Sequence, residues 1–312
     1  MGRAPEVAVV RGRPEPRREA MYTVGRKVFR SLFGRTAGTY LREHSLVDLA
    51  SALLVRRRWR AYYEQAKRVY AGGTAPNWAL ADEGVLFVRQ AVHVPPGMLA
   101  AIHRQLEDGD CVSFVSGNGR DGVQEGCEKV FLKKAAIREL IAGLFMESGC
   151  LRIIERHLSC HVRIVNASLY KTFPNIRTDF GGFVWHRDRL TEHSYKILTY
   201  LTDVGPGDGP FAYVPGSHRG HTGLPGFGRT EPKDDGVTRF VEYYGAPGDA
   251  ILFDVNGYHR GGGSVGRQRI VVSIHVQPSK IPCRAHYDLH GFGSVGEEEY
   301  GRDPDKAWWR VG

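Results

Sequence analysis

Apolar residues recur along this chain at two spacings, and the spacing changes near the middle. Over residues 45–71 (SLVDLASALLVRRRWRAYYEQAKRVYA), Leu46, Leu49, Leu53, Trp59, Tyr62, Tyr63 and Tyr70 return at helical intervals. Ser45 is placed to cap that helix and Gly72-Gly73 to stop it. Val85-Leu86-Phe87-Val88 reads as a short strand, and Pro95-Pro96 opens a helix through about Leu106. Two more helices are expected over 133–146 and 148–159, so the first half is predicted to be mostly helical with one early strand. From His161 the apolar residues gather in short runs: VRIVNASLY, YKILTYLTDV, FAYVPG, DAILFDV and RIVVSIHV. The segments between them carry GPGDGP, PGSHRG, APGD and NGYHRGGG. Short strands with turn signals this regular predict a sandwich or a closed antiparallel barrel.

The pattern divides the chain. Residues 1–43 are an arginine-rich arm, and the first twenty lack apolar periodicity. Residues 44–312 are read as one domain: a helical part over 44–160, a β core over 161–278 and a tail over 279–312. The aromatic and charged tail is expected to wrap the outside or cover a mouth. Asp249, in APGD, is expected to cap a turn. No internal repeat runs through the sequence, and no pattern in it sets an oligomeric state.

Composition narrows the class. Among 312 residues, 42% are hydrophobic and 25% charged, as in ordinary globular proteins. No apolar run reaches transmembrane length, and the charged start has no signal-peptide core. Five cysteines without a C-x-x-C pair point to buried thiols in a reduced, cytoplasmic setting. The net charge of +9 concentrates in the arm and in Arg56-Arg57-Arg58-Trp59-Arg60. That is either a contact for an anionic partner or a solvated basic face. No nucleic-acid motif accompanies it, so nucleic acid is not an expected partner.

Candidate chemistry centres on Trp185-His186-Arg187-Asp188. At a strand end, residues two apart point the same way, so His186 and Asp188 can reach one metal ion. His259, in DVNGYHRGG, offers a third ligand from another strand. Two imidazoles and one carboxylate on one face leave other positions open, the arrangement of a non-haem iron(II) oxygenase. Arg269, entering RIVVSIHV, can clamp a carboxylate with paired hydrogen bonds. An iron site with such a fork is what 2-oxoglutarate requires, with O₂ as co-substrate. Arg267 is the rival, two residues earlier on the same face.

The chain resembles the phytanoyl-CoA dioxygenase family of iron(II)/2-oxoglutarate oxygenases. The matching stretches are WHRD (185–188), YKILTYLTDV (195–204), GPFAYVPGSHRG (209–220), APGDAILFDVNGYHRGG (246–262) and RQRIVVSIHV (267–276). The resemblance implies a mainly β protein with flanking helices, built on a double-stranded β-helix (jelly-roll or cupin-like) core of two antiparallel sheets. It implies that His186, Asp188 and His259 bind iron and that Arg269 binds 2-oxoglutarate. Tyr200 is the nearest match to an aromatic residue that lines the oxo-acid pocket, or else a plain core residue. Gly261 stands where many relatives carry serine, so a hydrogen bond to 2-oxoglutarate is either absent or supplied by Thr202 or Lys196. Ser217 and His218 either brace the scaffold or line the substrate side. His161, His193, His221, His275, His286 and His290 are assigned no role in the site. Asp188 fills the position that halogenases leave for chloride, which disfavours halogenation.

Three functions follow. The first is hydroxylation, or a related oxidation such as desaturation, ring closure or epimerisation, of a small organic molecule, releasing succinate and CO₂. The second is the same chemistry on a protein, glycan or lipid. The third is a non-catalytic β-helix protein that binds a ligand. Phe180, Phe183, Trp185 and Tyr213 suggest an apolar or ring-bearing substrate, or are simply core.

Overall fold

The computed structural model describes residues 46–107, 111–115, 127–132, 142–172, 174, 181–188, 192–219 and 239–290. The chain divides into two units, Met1–Leu54 and Val55–Gly312. The first contributes only the start of helix α1 (Leu46–Val69) to the described residues. The arm over 1–43 and residues 291–312 of the tail lie outside them. Everything that follows concerns the second unit.

Two antiparallel sheets make up its body. The larger contains β1 (Val85–Val88), β2 (Cys111–Val115), β3 (Cys127–Leu132), β4 (His161–Thr172), β5 (Tyr195–Tyr200), β8 (Ala250–Asp254) and β10 (Arg269–Ser279), in the order β1-β8-β5-β10-β4-β3-β2. The smaller contains β6 (Phe211–Tyr213), β7 (Val241–Tyr243) and β9 (His259–Gly261), in the order β7-β6-β9. Helices α2 (Met98–Glu107), α3 (Gly149–Leu158) and α4 (Cys283–His290) complete the regular structure.

The period-2 pattern of β10 sorts its side chains between two environments. Ile270, Val272, Ile274 and Val276 join an apolar cluster with Ala66 of α1 and with Leu151, Ile154 and Leu158 of α3. Val271 points the other way, into a second cluster with Tyr200, Phe211, Tyr213 and Phe253. Arg269, Ser273, His275 and Gln277 share the Val271 face by the same alternation. A register shift between His275 and Val276 sets Val165 of β4 in a bulge. Pro278 is accommodated because it lies beyond the last β5 pair, Val276–Tyr195, where β10 keeps one neighbour.

The first half carries more strand than the one early strand expected. The helices near 46–69, 98–107 and 149–158 form, but β2 and β3 pair with each other, and β3 extends the large sheet through β4. Residues 133–141 lie outside the described residues, and Ala142–Met146 is a short π-helical turn. The two extra strands carry a signal: two apolar-bearing runs on either side of Gly-rich GNGRDG, a pattern of paired strands. Asp249 caps its turn as expected, accepting the Ala246 N–H at 2.9 Å and the Gln90 N–H at 2.8 Å. Among the described residues no helix is long and apolar enough to cross a membrane, and Cys150, Cys160 and Cys283 are free and buried.

Part of the basic cluster on α1 is spoken for internally. Arg56 and Arg60 each reach Glu192 Oε1 at 2.8 Å. Fully buried Trp59 donates its indole N–H to the Glu192 carbonyl at 2.7 Å. Only Arg57 and Arg58 of the cluster remain exposed without a part in this clamp. Burial pushes the Glu192 carboxyl upward, but its bonds to Arg60 and Arg56 outweigh that and hold it below its ordinary value. A depressed carboxylate stabilises the fold above its unfolded value and loses that contribution as pH falls through the lower folded value. Glu192→Gln is therefore expected to cost about 1 kcal/mol at pH 7, the range of partly exposed ion pairs. Urea denaturation of both proteins should show the difference shrinking in acid. An acid-independent difference would mean that the clamp acts by packing alone.

Candidate metal centre

The H-x-D segment enters the space between the sheets as a fragment of strand beside β9. His186 and His259 exchange both backbone hydrogen bonds, each N–H to O distance being 3.0 Å. The Asp188 N–H donates to the Val255 carbonyl at 3.0 Å. The two imidazole rings lie with centroids 4.3 Å apart. His186 Nδ1 lies 2.8 Å from the Val184 carbonyl, and His259 Nδ1 lies 2.9 Å from the Gly257 carbonyl. A carbonyl can only accept, so each Nδ1 carries the proton and each Nε2 keeps its lone pair. Those nitrogens stand 3.6 Å and 3.8 Å from the Asp188 carboxylate oxygens.

One ligand atom from each of the three residues lies within 4.8 Å of the others, and both histidines are buried. Metal–nitrogen and metal–oxygen bonds are about 2 Å long, so small side-chain movements would bring all three onto one ion. Two neutral imidazoles and a carboxylate suit iron(II), and hydrogen bonds at the far nitrogens are the usual support of metal-bound histidine. Burial works against the charge on Asp188. The Lys196 ammonium overrides it, so the carboxyl is held well below the usual carboxylate range.

The other site candidates separate. Lys196, read as a contact for 2-oxoglutarate, places its ammonium on Asp188 Oδ2. The two arginines part company. Arg267 is largely exposed and is held by Asp208, with Nη2 to Oδ2 at 2.9 Å and its backbone N–H to Oδ1 at 3.1 Å. Arg269 is buried, and its Nη2 lies 3.4 Å from Thr172 Oγ1. Gly261 bears on that placement: a Cβ built there would lie 3.2 Å from Arg269 Nη2. The missing side chain gives the guanidinium room.

Tyr200 is wholly buried, and its hydroxyl donates to the Tyr243 carbonyl at 2.7 Å while accepting the Phe211 N–H at 3.1 Å. Both functions of the hydroxyl join the two sheets. Thr202 is used locally, its hydroxyl accepting the Ile270 N–H at 3.1 Å. In PGSHRG, Ser217 Oγ accepts the Tyr258 N–H at 2.8 Å, and His218 Nε2 lies 3.1 Å from the Ala81 carbonyl. Both brace the scaffold. The aromatic residues of the substrate reading are committed too. Tyr213 donates to the Asp254 carbonyl at 3.0 Å. Trp185 lies against Phe240, centroids 5.2 Å apart, with Arg260 above its ring. Phe183 is buried, and Phe180 lies outside the described residues.

A sequence model of the family described as phytanoyl-CoA dioxygenase (PhyH) matches residues 81–270, more than half of the chain. The chain belongs to the phytanoyl-CoA dioxygenase family. It is accordingly an iron(II)- and 2-oxoglutarate-dependent oxygenase. A comparison with curated proteins gives no match. Among solved structures, EctD from S. alaskensis with 2-oxoglutarate and 5-hydroxyectoine aligns at 18% identity and a TM-score of 0.50, covering 64% of this chain and 74% of that one. HygX from Streptomyces hygroscopicus, with nickel, 2-oxoglutarate and hygromycin B bound, aligns at 14% identity and a TM-score of 0.46, covering 66% and 87%. The EctD likeness is one of fold: mainly antiparallel sheets with helices, in a cupin-like arrangement.

Two expectations follow for 2-oxoglutarate binding to the iron(II)-loaded, oxygen-free protein, measured by isothermal titration. Arg269→Ala should weaken binding by about a hundredfold or more, since charge-assisted hydrogen bonds are worth ~1.5–3 kcal/mol each. Arg267→Ala should leave it unchanged. The reverse order would move the anchor to Arg267. Gly261→Ser should weaken binding by crowding Arg269, and unaltered affinity would show that the guanidinium has other room.

Proposed function

We propose that this oxygenase hydroxylates a small organic molecule, with His186, Asp188 and His259 as the iron ligands and Arg269 as the anchor for the distal carboxylate of 2-oxoglutarate. The observation that carries the reading is the tautomer lock on both histidines, which turns two lone pairs and one carboxylate toward the same point. Iron(II) bound there with 2-oxoglutarate supplies O₂ activation coupled to decarboxylation of the oxo acid to succinate and CO₂.

The chain's own residues do the positioning. The His186 and His259 rings are held by backbone carbonyls, so they cannot turn their protonated nitrogens to the metal. Lys196 fixes the orientation of Asp188 and offsets its charge. Arg269 presents a guanidinium at the buried start of β10, where a planar fork matches a carboxylate. The apolar cluster of Tyr200, Phe211, Tyr213, Phe253 and Val271 closes the space between the sheets to water.

An intact ligand triad with a buried arginine favours catalysis over a ligand-binding β-helix protein. The small-molecule reading is favoured over a macromolecular substrate because Arg56 and Arg60 are paired to Glu192, which removes part of the basic surface that would dock an anionic partner. A cytoplasmic setting fits the free, buried cysteines.

The test is spectroscopic. Metal-free protein titrated anaerobically with iron(II) and then 2-oxoglutarate is expected to develop a weak visible charge-transfer band that needs both additions. His186→Ala should abolish it. A well-folded wild type that shows no band and binds neither component would return the ligand-binding reading to the front.

A further inference from the structure

The inward face of the large sheet changes character along its length. Near Val271 it is apolar, and Tyr200, Phe211 and Phe253 fill the space. Further along β10 the inward positions are Ser273, His275 and Gln277; across from them stand Ser168, Asn166 and wholly buried Arg163 on β4, and Leu198 and Lys196 on β5. Seven polar side chains therefore line one stretch of the interior, level with the point where Lys196 meets Asp188. Direct cross-strand neighbours have Cβ atoms about 5 Å apart, so His275 sits one strand from a group that touches the metal-ligand carboxylate.

Two polar atoms on this face are buried without a hydrogen-bond partner among the described residues: His275 Nε2 and Gln277 Oε1. His275 is 8% exposed and Gln277 wholly buried. Such atoms are rare in folded proteins, because burying a donor or acceptor without a partner is unfavourable. Two on one strand face, beside a bulge and next to the metal centre, mark a place prepared for a hydrogen-bonding guest.

We propose that His275 is a substrate-recognition residue and that the molecule it receives is rich in hydroxyl groups, a polyol or sugar-like compound held by hydrogen bonds against the inner face of β10. This rests on the oxygenase reading above. Burial, with Lys196 adding to it, pushes the imidazole down to about 3, so the ring is neutral and offers one donor and one acceptor. Asparagine, glutamine and serine offer the same mixture, and Lys196 is already balanced by Asp188. A lining that mixes donors and acceptors, with the Arg163 guanidinium at its far end, matches hydroxyls, which both donate and accept, better than it matches a hydrocarbon. The aromatic residues that favoured an apolar substrate are meanwhile engaged elsewhere: the Tyr213 hydroxyl bonds the Asp254 carbonyl, and Trp185 stacks with Phe240 and Arg260.

The experiment uses the full chain loaded anaerobically with iron(II) and 2-oxoglutarate. Methyl β-glucopyranoside and myo-inositol serve as hydroxylated probes, toluene and indole as apolar ones. Binding is read by saturation-transfer NMR and by the shift each probe causes in the charge-transfer band. The hydroxylated probes are expected to bind and shift the band. His275→Leu should weaken them by about tenfold, the effect of one lost buried hydrogen bond, while the band and 2-oxoglutarate affinity stay as in wild type. His275→Gln, which keeps a donor and an acceptor, should recover part of the loss. Asn166→Leu, directly across on β4, should weaken the same probes and keeps the test open if His275→Leu fails to fold. Apolar probes binding in place of the hydroxylated ones, no probe binding at all, or equal binding by wild type and variants would overturn the proposal. So would loss of the band in His275→Leu, which would place His275 in the cofactor pocket. Absence of the band in wild type is a different failure, that of the oxygenase reading itself.

Discussion

The paired backbone hydrogen bonds between His186 and His259 are the constraint on which the site depends. The H-x-D segment belongs to no named strand, and its pairing with β9 is a single antiparallel bridge. That bridge sets two residues distant in sequence directly opposite each other, where side chains are nearest neighbours. The Asp188 N–H bond to the Val255 carbonyl then holds the carboxylate at the same level. Around this, Val214 and Ser217, in the segment that follows β6, hold the backbone of Tyr258. Each ring is further fixed by a carbonyl two residues before it. The metal-binding geometry is thus a property of the backbone, and the side chains inherit it.

The second constraint is that polar and charged groups occupy the interior of a β-sheet protein, where burial opposes charge. Asp188 tolerates it because Lys196 is adjacent. Arg269 lies at the start of β10 beside Thr172. Asp254 has less help: burial pushes its carboxyl up to about 6, against a backbone hydrogen bond from Asn256. The apolar cluster around Tyr200 and Phe253 separates these polar zones from the far side of the sandwich and keeps the two sheets together. Two tyrosine hydroxyls reinforce that seam, since Tyr200 and Tyr213 each bond a backbone carbonyl across the interior. One β10 strand consequently carries both an apolar seam that stabilises and a polar stretch beside the candidate metal centre.

Much of this is legible in the sequence, and the exceptions share a cause. The candidate ligand residues can be read because a metal restricts its ligands to a few residue types in a few spacings. Strands β4, β5, β8 and β10 can be read because their apolar runs are long and bounded by turn residues. Strands β7 and β9 are three residues each, too short for any periodicity, and they exist because β6 offers them a partner. β2 and β3 escape a helical reading of the first half although their Gly-rich separator is visible. Arg267 and Arg269 share a face and a charge, and residues far away in the chain distinguish them: Asp208 holds Arg267, and Thr172 lies beside buried Arg269. Tyr200 has two readings from sequence, and its hydroxyl partners settle what that group does.

The sequence by itself determined the chemistry: the candidate ligand set, the family and the change from helical to strand spacing. These are local patterns, carried by residue type and by intervals of two to four positions. The tertiary structure decided which polar groups are buried, which are already paired and which are left open. Lys196 on Asp188, Arg56 and Arg60 on Glu192, and a His275 Nε2 without a partner among the described residues are all consequences of long-range contacts. A one-residue slip in a strand would send each inward side chain to the other face. Pairing across the sheet depends on that register, and register is a property of the assembled strands rather than of any one of them.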